Sequence, residues 1–107
     1  MRRGEVWWAT LPGGAGRRPV LLLSRNEAYA VRALVTVAPL TTGIRRIPVE
    51  VPLGSEDGLP GECVINLDSL VTIRKARLER RLTVLGRDKL RAAHAALRFA
   101  LALDDAG

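Results

Sequence analysis

The feature that most narrows the folds open to this chain is the brevity of its apolar runs. Seven stretches rich in Val, Leu, Ile and Trp follow one another, each four to eight residues long: "GEVWWATL" (Gly4 to Leu11), "PVLLLS" (Pro19 to Ser24), "ALVTVAPL" (Ala33 to Leu40), "IPVEVPL" (Ile47 to Leu53), "CVINL" (Cys63 to Leu67), "LVTI" (Leu70 to Ile73) and "RLTVLG" (Arg81 to Gly86). Short runs of this composition, set between loops bearing Gly and Pro, read as strands. "PVLLLS" is continuous rather than alternating, which is the pattern of a strand buried on both faces, and Pro19 is tolerated at its first position. "IPVEVPL" alternates, and its prolines suit an edge strand.

Only the C-terminus departs from this pattern. From Arg87 to Leu103 there is no Gly or Pro, and Ala, Leu, Arg and Lys dominate, so propensity and length predict a helix. Leu90, Ala93, Leu97 and Leu101 fall three or four apart and form one stripe to be laid on the sheet or on a second subunit. Several strands with hairpin-type connections and one terminal helix predict a mainly β fold, a small curled antiparallel sheet, half sandwich and half barrel. Function is then expected on its loops.

A chain of 107 residues is the size of one compact domain, taken as residues 1–107. No apolar stretch is long enough to span a bilayer, and the Met-Arg-Arg start is not followed by an apolar leader, so a cytoplasmic protein without membrane association is expected. A single cysteine, Cys63, allows no internal disulfide and reads as a plain buried thiol. A single histidine, His94, lies beside the helical stripe and reads as a half-buried helix residue. One Cys and one His cannot assemble a zinc ligand set, and neither metal nor cofactor is expected.

The formal charge is +6, from 17 Lys and Arg against 11 Asp and Glu, and only Lys75 and Lys89 are lysines. Arg is the side chain suited to bidentate phosphate contacts, so the balance favours a polyanionic or acidic partner. In "GRRPVLLLSRN", Gly16 to Asn26, two of these arginines stand at the mouth of a buried strand. Arg cannot shed its proton at any working pH, so a buried guanidinium needs an anion. Two loops concentrate such groups: "PGGAGRR" (Pro12 to Arg18), whose glycines let a ligand approach the backbone, and "PLTTGIRR" (Pro39 to Arg46), with two hydroxyls before two arginines. If the strand opening at Pro19 and the strand closing at Leu40 are antiparallel neighbours, Arg18 and Thr41 meet at one end of the sheet. That pair would make a phosphate site, whereas Arg17, Arg45 and Arg46 read equally well as solvated loop charges.

The blocks "RRGEVWWATL", "GRRPVLLLSRN", "VTVAPLTT", "GECVINLDSLVTIRKARL" and a helix ending "ALRFALAL" occur in an order and spacing that resembles the MazF/PemK family of toxin endoribonucleases along nearly the whole chain. The resemblance implies a homodimer of small SH3-like barrels of the MazF/CcdB type. It also implies cleavage of single-stranded RNA at short sequences, and inhibition by a cognate antitoxin with an acidic, flexible C-terminal segment. The family's catalytic pair, an Arg before the Pro that opens the second strand and a Thr or Ser just after the third, matches Arg18 and Thr41, with Arg17 and Thr42 flanking them. RNA can be cleaved without water or metal when its own 2'-hydroxyl attacks the adjacent phosphorus, and the single His94 excludes a two-histidine acid-base pair for that step. Arg18 would clamp the developing charge and Thr41 would position the group. Base recognition is expected from Trp8, Arg25, Asn26, Arg45 and Arg46. Trp7 and Trp8 face opposite sides of one strand, so at most one of them is core. The basic run "RKARLERR" (Arg74 to Arg81) could extend an RNA groove, receive an acidic antitoxin tail, or simply be solvated. The loop before Arg17 is shorter than is common in the family, and Thr10 stands where an Asp is frequent. The alternative reading is a non-catalytic toxin or binding module of the same fold acting on a protein such as DNA gyrase.

Overall fold

The computed structural model describes residues 1–103. Its elements in chain order are β1 (Glu5–Leu11), β2 (Gly16–Leu22), α1 (Ala28–Val31), β3 (Leu34–Thr41), β4 (Glu50–Leu53), β5 (Cys63–Asn66), β6 (Val71–Arg74), β7 (Leu78–Val84) and α2 (Arg87–Leu101). The strands form an antiparallel sheet in the order β4-β5-β3-β2-β1-β7, with β6 paired to β3 off this path. One flank of β3 serves two partners. Leu34 to Val37 pair with β6, while Leu40 and Thr41 pair with β5. The sheet is not closed, since β4 and β7 end the path. The mainly β architecture with one terminal helix is the one expected.

The continuous run of β2 is explained by two apolar clusters, one on each face of the sheet. Val20 and Leu22 join Ala9, Leu11, Val35, Val37 and Ile73, and Leu21 and Leu23 join Val6, Ala38, Leu40, Ile65 and Leu67. Each successive side chain of the strand therefore enters a core, and Val20, Leu21 and Leu22 are fully buried. Helix α2 covers the second cluster and packs against β4, with Ala93 and Ala96 buried and Leu97 half-buried. Small residues at the contact let the helix lie close to the sheet. The stripe ends earlier than its spacing suggested, because Leu101 is 52% exposed in the last turn.

Three strands depart most from the sequence reading. β2 starts at Gly16, so Pro19 lies inside the strand, paired with Trp8 of β1. The ladder to β3 begins only at Val20, which leaves one flank of Pro19 unpaired and its missing donor harmless. The strand expected from Ile47 is confined to Glu50–Leu53. The carboxylate of Glu50 takes the amide N–H groups of Arg45 and Arg46, at 2.9 and 3.0 Å, and folds the preceding segment into a loop. β7 begins at Leu78, inside the basic run, and "AYAV" forms the short helix α1, which was not anticipated. Gly58 closes the turn after residues 55–57 with φ +88°, and a Cβ there would collide with the Thr83 side chain. No helix among the described residues is long and apolar enough to cross a membrane.

Candidate active site

The register of the three central strands gathers the charged loop residues at one end of the sheet. β1 pairs Trp8 with Pro19, Ala9 with Arg18 and Thr10 with Arg17, and β3 pairs Pro39 with Val20. Continued by two residues, the β2–β3 register sets Arg18 level with Thr41. Both residues line one cleft of about 350 Å³, together with Trp8, Arg17, Thr42 and a wall made by residues 59–63. Strand alternation sends Arg18 and Thr41 to one face of the sheet and Trp8, Arg17 and Thr42 to the other. The pair and its neighbours therefore meet at the sheet's rim, where the cleft draws on both faces.

The Arg18 guanidinium donates through Nη2 to the Ala15 carbonyl at 3.1 Å, while its buried Nε has no hydrogen-bond partner. Trp8 Nε1 is likewise buried and unpartnered. Unpaired buried donors are uncommon and costly, and two of them belong to side chains that line this one cleft. Thr41 Oγ1 accepts the Gly43 N–H at 3.1 Å, which leaves the hydroxyl proton available to donate elsewhere. Thr42 is exposed beside it.

Arg17 is held by two contacts. Its guanidinium carbon lies 4.3 Å from the centroid of the Trp8 ring, and its Nε makes a 2.7 Å ion pair with Glu79 Oε1. The second oxygen of Glu79 accepts the Thr10 hydroxyl at 2.6 Å. The Thr10 hydrogen bond and then Arg17 itself hold the Glu79 carboxyl below its ordinary pKa of 4.5. Trp7 faces the other way, donating to Glu5 Oε1 at 2.8 Å and packing on the apolar cluster there. The two tryptophans thus take opposite sides of β1, as alternation predicts, and Trp8 is the one in the cleft.

Other residues singled out in the sequence lie elsewhere. Arg45 reaches Glu50 Oε2 through Nε at 2.9 Å, so its charge compensates a buried carboxylate. Burial alone would raise the Glu50 pKa, but the N–H and guanidinium of Arg45 and the N–H of Arg46 outweigh it and hold the group below 4.5. Arg46 lines a neighbouring hollow of about 660 Å³ that shares residues 60–63 with the cleft. Arg25 and Asn26 sit beyond the far end of β2. Asn26 Oδ1 accepts the Arg3 N–H at 2.7 Å, and Arg25 borders a separate hollow with Ser24, Arg32 and Thr36. The fold does not bring these two residues to the cleft.

His94 is outside the cleft as well. Its Nε2 accepts from Arg3 Nε at 3.3 Å, and burial, then Arg3 and Arg98, lower its pKa and favour the neutral ring. Cys63 lies in the cleft wall, but burial and then Asp57 push its thiol up, away from the thiolate a nucleophile needs. No group of three or more His, Cys, Asp or Glu among the described residues could hold a metal ion. Sequence reasoning missed the wall at 59–62, with Glu62, and the part played by Glu79. Glu79 did leave a trace, as the single acid within the basic run Arg74 to Arg81.

Fold and cleft together define a small mainly β protein with arginine and hydroxyl groups grouped at one sheet end. Comparison with known proteins makes this specific. Residues 2–101 match the family described as "PemK-like, MazF-like toxin of type II toxin-antitoxin system", and the chain belongs to that family. It is 41% identical over 100 residues to "Probable endoribonuclease MazF5" of Mycobacterium tuberculosis, covering 92% of this chain and 91% of that one. It is 38% identical over 99 residues to "Probable endoribonuclease MazF2" of the same species, covering 92% and 95%. Among solved structures, an endoribonuclease in complex with its cognate antitoxin from a mycobacterial species superposes with a TM-score of 0.86 at 33% identity, covering 96% of each chain. A MazE-MazF structure from Deinococcus radiodurans superposes with a TM-score of 0.79 at 27% identity, covering 94% of each. The protein is a MazF-like endoribonuclease toxin of a toxin-antitoxin system.

Proposed function

We propose that this protein cuts single-stranded RNA at short recognition sequences by attack of the RNA's own 2'-hydroxyl on the adjacent phosphorus. The 2'-oxygen bonds to phosphorus as the bond to the 5'-oxygen breaks, leaving a 2',3'-cyclic phosphate and a 5'-hydroxyl end. The observation that carries this reading is the convergence of Arg18 and Thr41 in one cleft. A fixed guanidinium stabilises the extra charge of the pentacoordinate phosphorus without changing protonation, so Arg18 acts first as an electrostatic clamp. Thr41, with its proton available, bonds a phosphate oxygen or orients the 2'-hydroxyl. Arg17, Thr42 and Trp8 contact the flanking nucleotides.

The solved mycobacterial endoribonuclease in complex with its cognate antitoxin supports a cognate antitoxin here too, its acidic flexible segment lying on the arginine-rich rim. The protein works in the cytoplasm as a homodimer, in keeping with its family. The test is gel mapping of a long single-stranded RNA treated with purified protein in EDTA, beside Arg18→Ala and Thr41→Ala. Discrete cuts with 5'-hydroxyl ends, lost in both variants, are the expected result. Intact RNA across unrelated sequences at high protein concentration overturns the reading and turns attention to a protein target.

A further inference from the structure

The Arg17 guanidinium is held from two sides: its carbon lies over the Trp8 ring, and its Nε pairs with Glu79, whose other oxygen is fixed by Thr10. Four residues from three regions of sequence thus meet at one guanidinium. Thr10 and Trp8 come from β1, Arg17 from β2 and Glu79 from β7. The indole lies on one side of the group, yet the Arg17 side chain is 47% exposed, and among the described residues only its Nε has a hydrogen-bond partner.

We infer that Glu79 is a positioning residue that holds the Arg17 guanidinium flat on Trp8, so that its outer face forms a stacking seat for one nucleobase beside the cleaved bond. The inference rests on the endoribonuclease reading and adds a base subsite to it. Single-stranded RNA is read by splaying bases out and stacking them on aromatic rings or guanidinium planes, with edge contacts adding preference. A guanidinium braced by an indole behind it supplies such a plane, and its two η nitrogens remain to meet acceptors on the base edge. Strand alternation supplies the geometry. Arg18 and Thr41 face one side of the sheet end and Arg17 the other, so a strand crossing the rim leaves its phosphate at one and turns its neighbouring base onto the other. Arg80, opposite Trp8 on β7, adds positive charge along the same edge.

The probe is a short single-stranded RNA centred on a mapped cut, or an arbitrary sequence if none is cut, with 2'-deoxyribose at the central nucleotide to prevent cleavage. A matched series carries one abasic ribose, moved one position at a time. Binding is read by titration, and Trp8 emission is followed in a Trp7→Phe background. Wild-type protein is expected to lose about tenfold in affinity when the abasic residue falls at one position next to the central phosphate, as for one stacked base. Base binding there changes the Trp8 emission. In Glu79→Ala and in Arg17→Lys, which keeps the charge but loses the plane, that tenfold difference shrinks below about threefold, while affinity for the abasic strand stays close to wild type.

An equal loss for intact and abasic strands in both variants would show that Glu79 and Arg17 serve only to keep this rim folded, and overturns the inference. Tight binding and cleavage with no abasic position coupled to either residue overturns it while leaving the endoribonuclease reading intact. Absence of any RNA binding or cleavage by the wild type removes both.

Discussion

Arg18 and Thr41 line one cleft, each two residues beyond the Val20–Pro39 pair at which the β2–β3 ladder ends. They are 23 positions apart in the sequence, and the pairing of β2 with β3 brings them together. Arg18 donates one hydrogen bond, to the Ala15 carbonyl of an exposed loop, so the fold does not depend on it. Arg18→Ala is expected to slow RNA cleavage by about 10²- to 10³-fold, the usual cost of removing one preorganised donor from a developing charge. Its melting temperature should stay close to wild type. Single-turnover rates on a fixed RNA, beside thermal unfolding of the same samples, check both parts. A parallel loss of fold and rate would count against a direct role.

Salt dependence gives a second check on the cleft. Each phosphate neutralised on a single strand contributes about 0.7 to the slope of log affinity against log salt. Arg18→Gln should flatten that slope by about 0.7, while Arg17→Gln, whose guanidinium is already paired with Glu79, and Arg25→Gln, at the far end of β2, should leave it nearly unchanged. Binding of non-cleavable RNA across a salt series measures the three slopes.

The buried carboxylate of Glu50 makes stability fall in acid. Its pKa in the folded protein lies below the ordinary 4.5, so its stabilising effect is present at neutral pH and is lost as pH falls below that value. Glu50→Gln is expected to melt lower than wild type at pH 7, with a shallower decline below about pH 4.5. Arg45→Ala should cost less than Glu50→Ala, because the two backbone N–H groups still hold the carboxylate while the Arg45 side chain is 56% exposed. Melting curves collected across pH report all three.

Gly58 offers a test of fold alone. Its φ of +88° and the closeness of Thr83 leave no room for a side chain. Gly58→Ala should cost about 1–2 kcal/mol from the left-handed backbone. That corresponds to roughly 4–8 °C in melting temperature for each kcal/mol in a domain near this size. Its cleavage rate per folded molecule should not change, since the residue lies outside the cleft.

Much of this arrangement was legible in the chain because it is written locally. The doubly buried β2 showed as "VLLL", and α2 as a long segment without Gly or Pro. The meeting of Arg18 and Thr41 in one cleft followed once antiparallel neighbours were assumed. Tertiary contacts hid the rest. The claim of Glu79 on Arg17 spans 62 residues and has no local pattern beyond one acid among arginines. The shortened β4 depends on side-chain capture of two amides by Glu50, which strand propensity does not encode. Arg25 and Asn26 looked like site residues because they flank the same strand as Arg18, yet a strand of seven residues separates its two ends by roughly 20 Å.

The burial of β2 on both faces also bears on how such a protein can diversify. The strand that carries Arg18 is the segment least able to accept new side chains, because almost any change at Val20 to Leu23 enters one of two cores. The part of the cleft wall at residues 60–62 is exposed and belongs to neither core. If the cleft cuts RNA as proposed, side chains at this wall can be exchanged to alter which sequence is read while Arg18 stays anchored, without either core being disturbed.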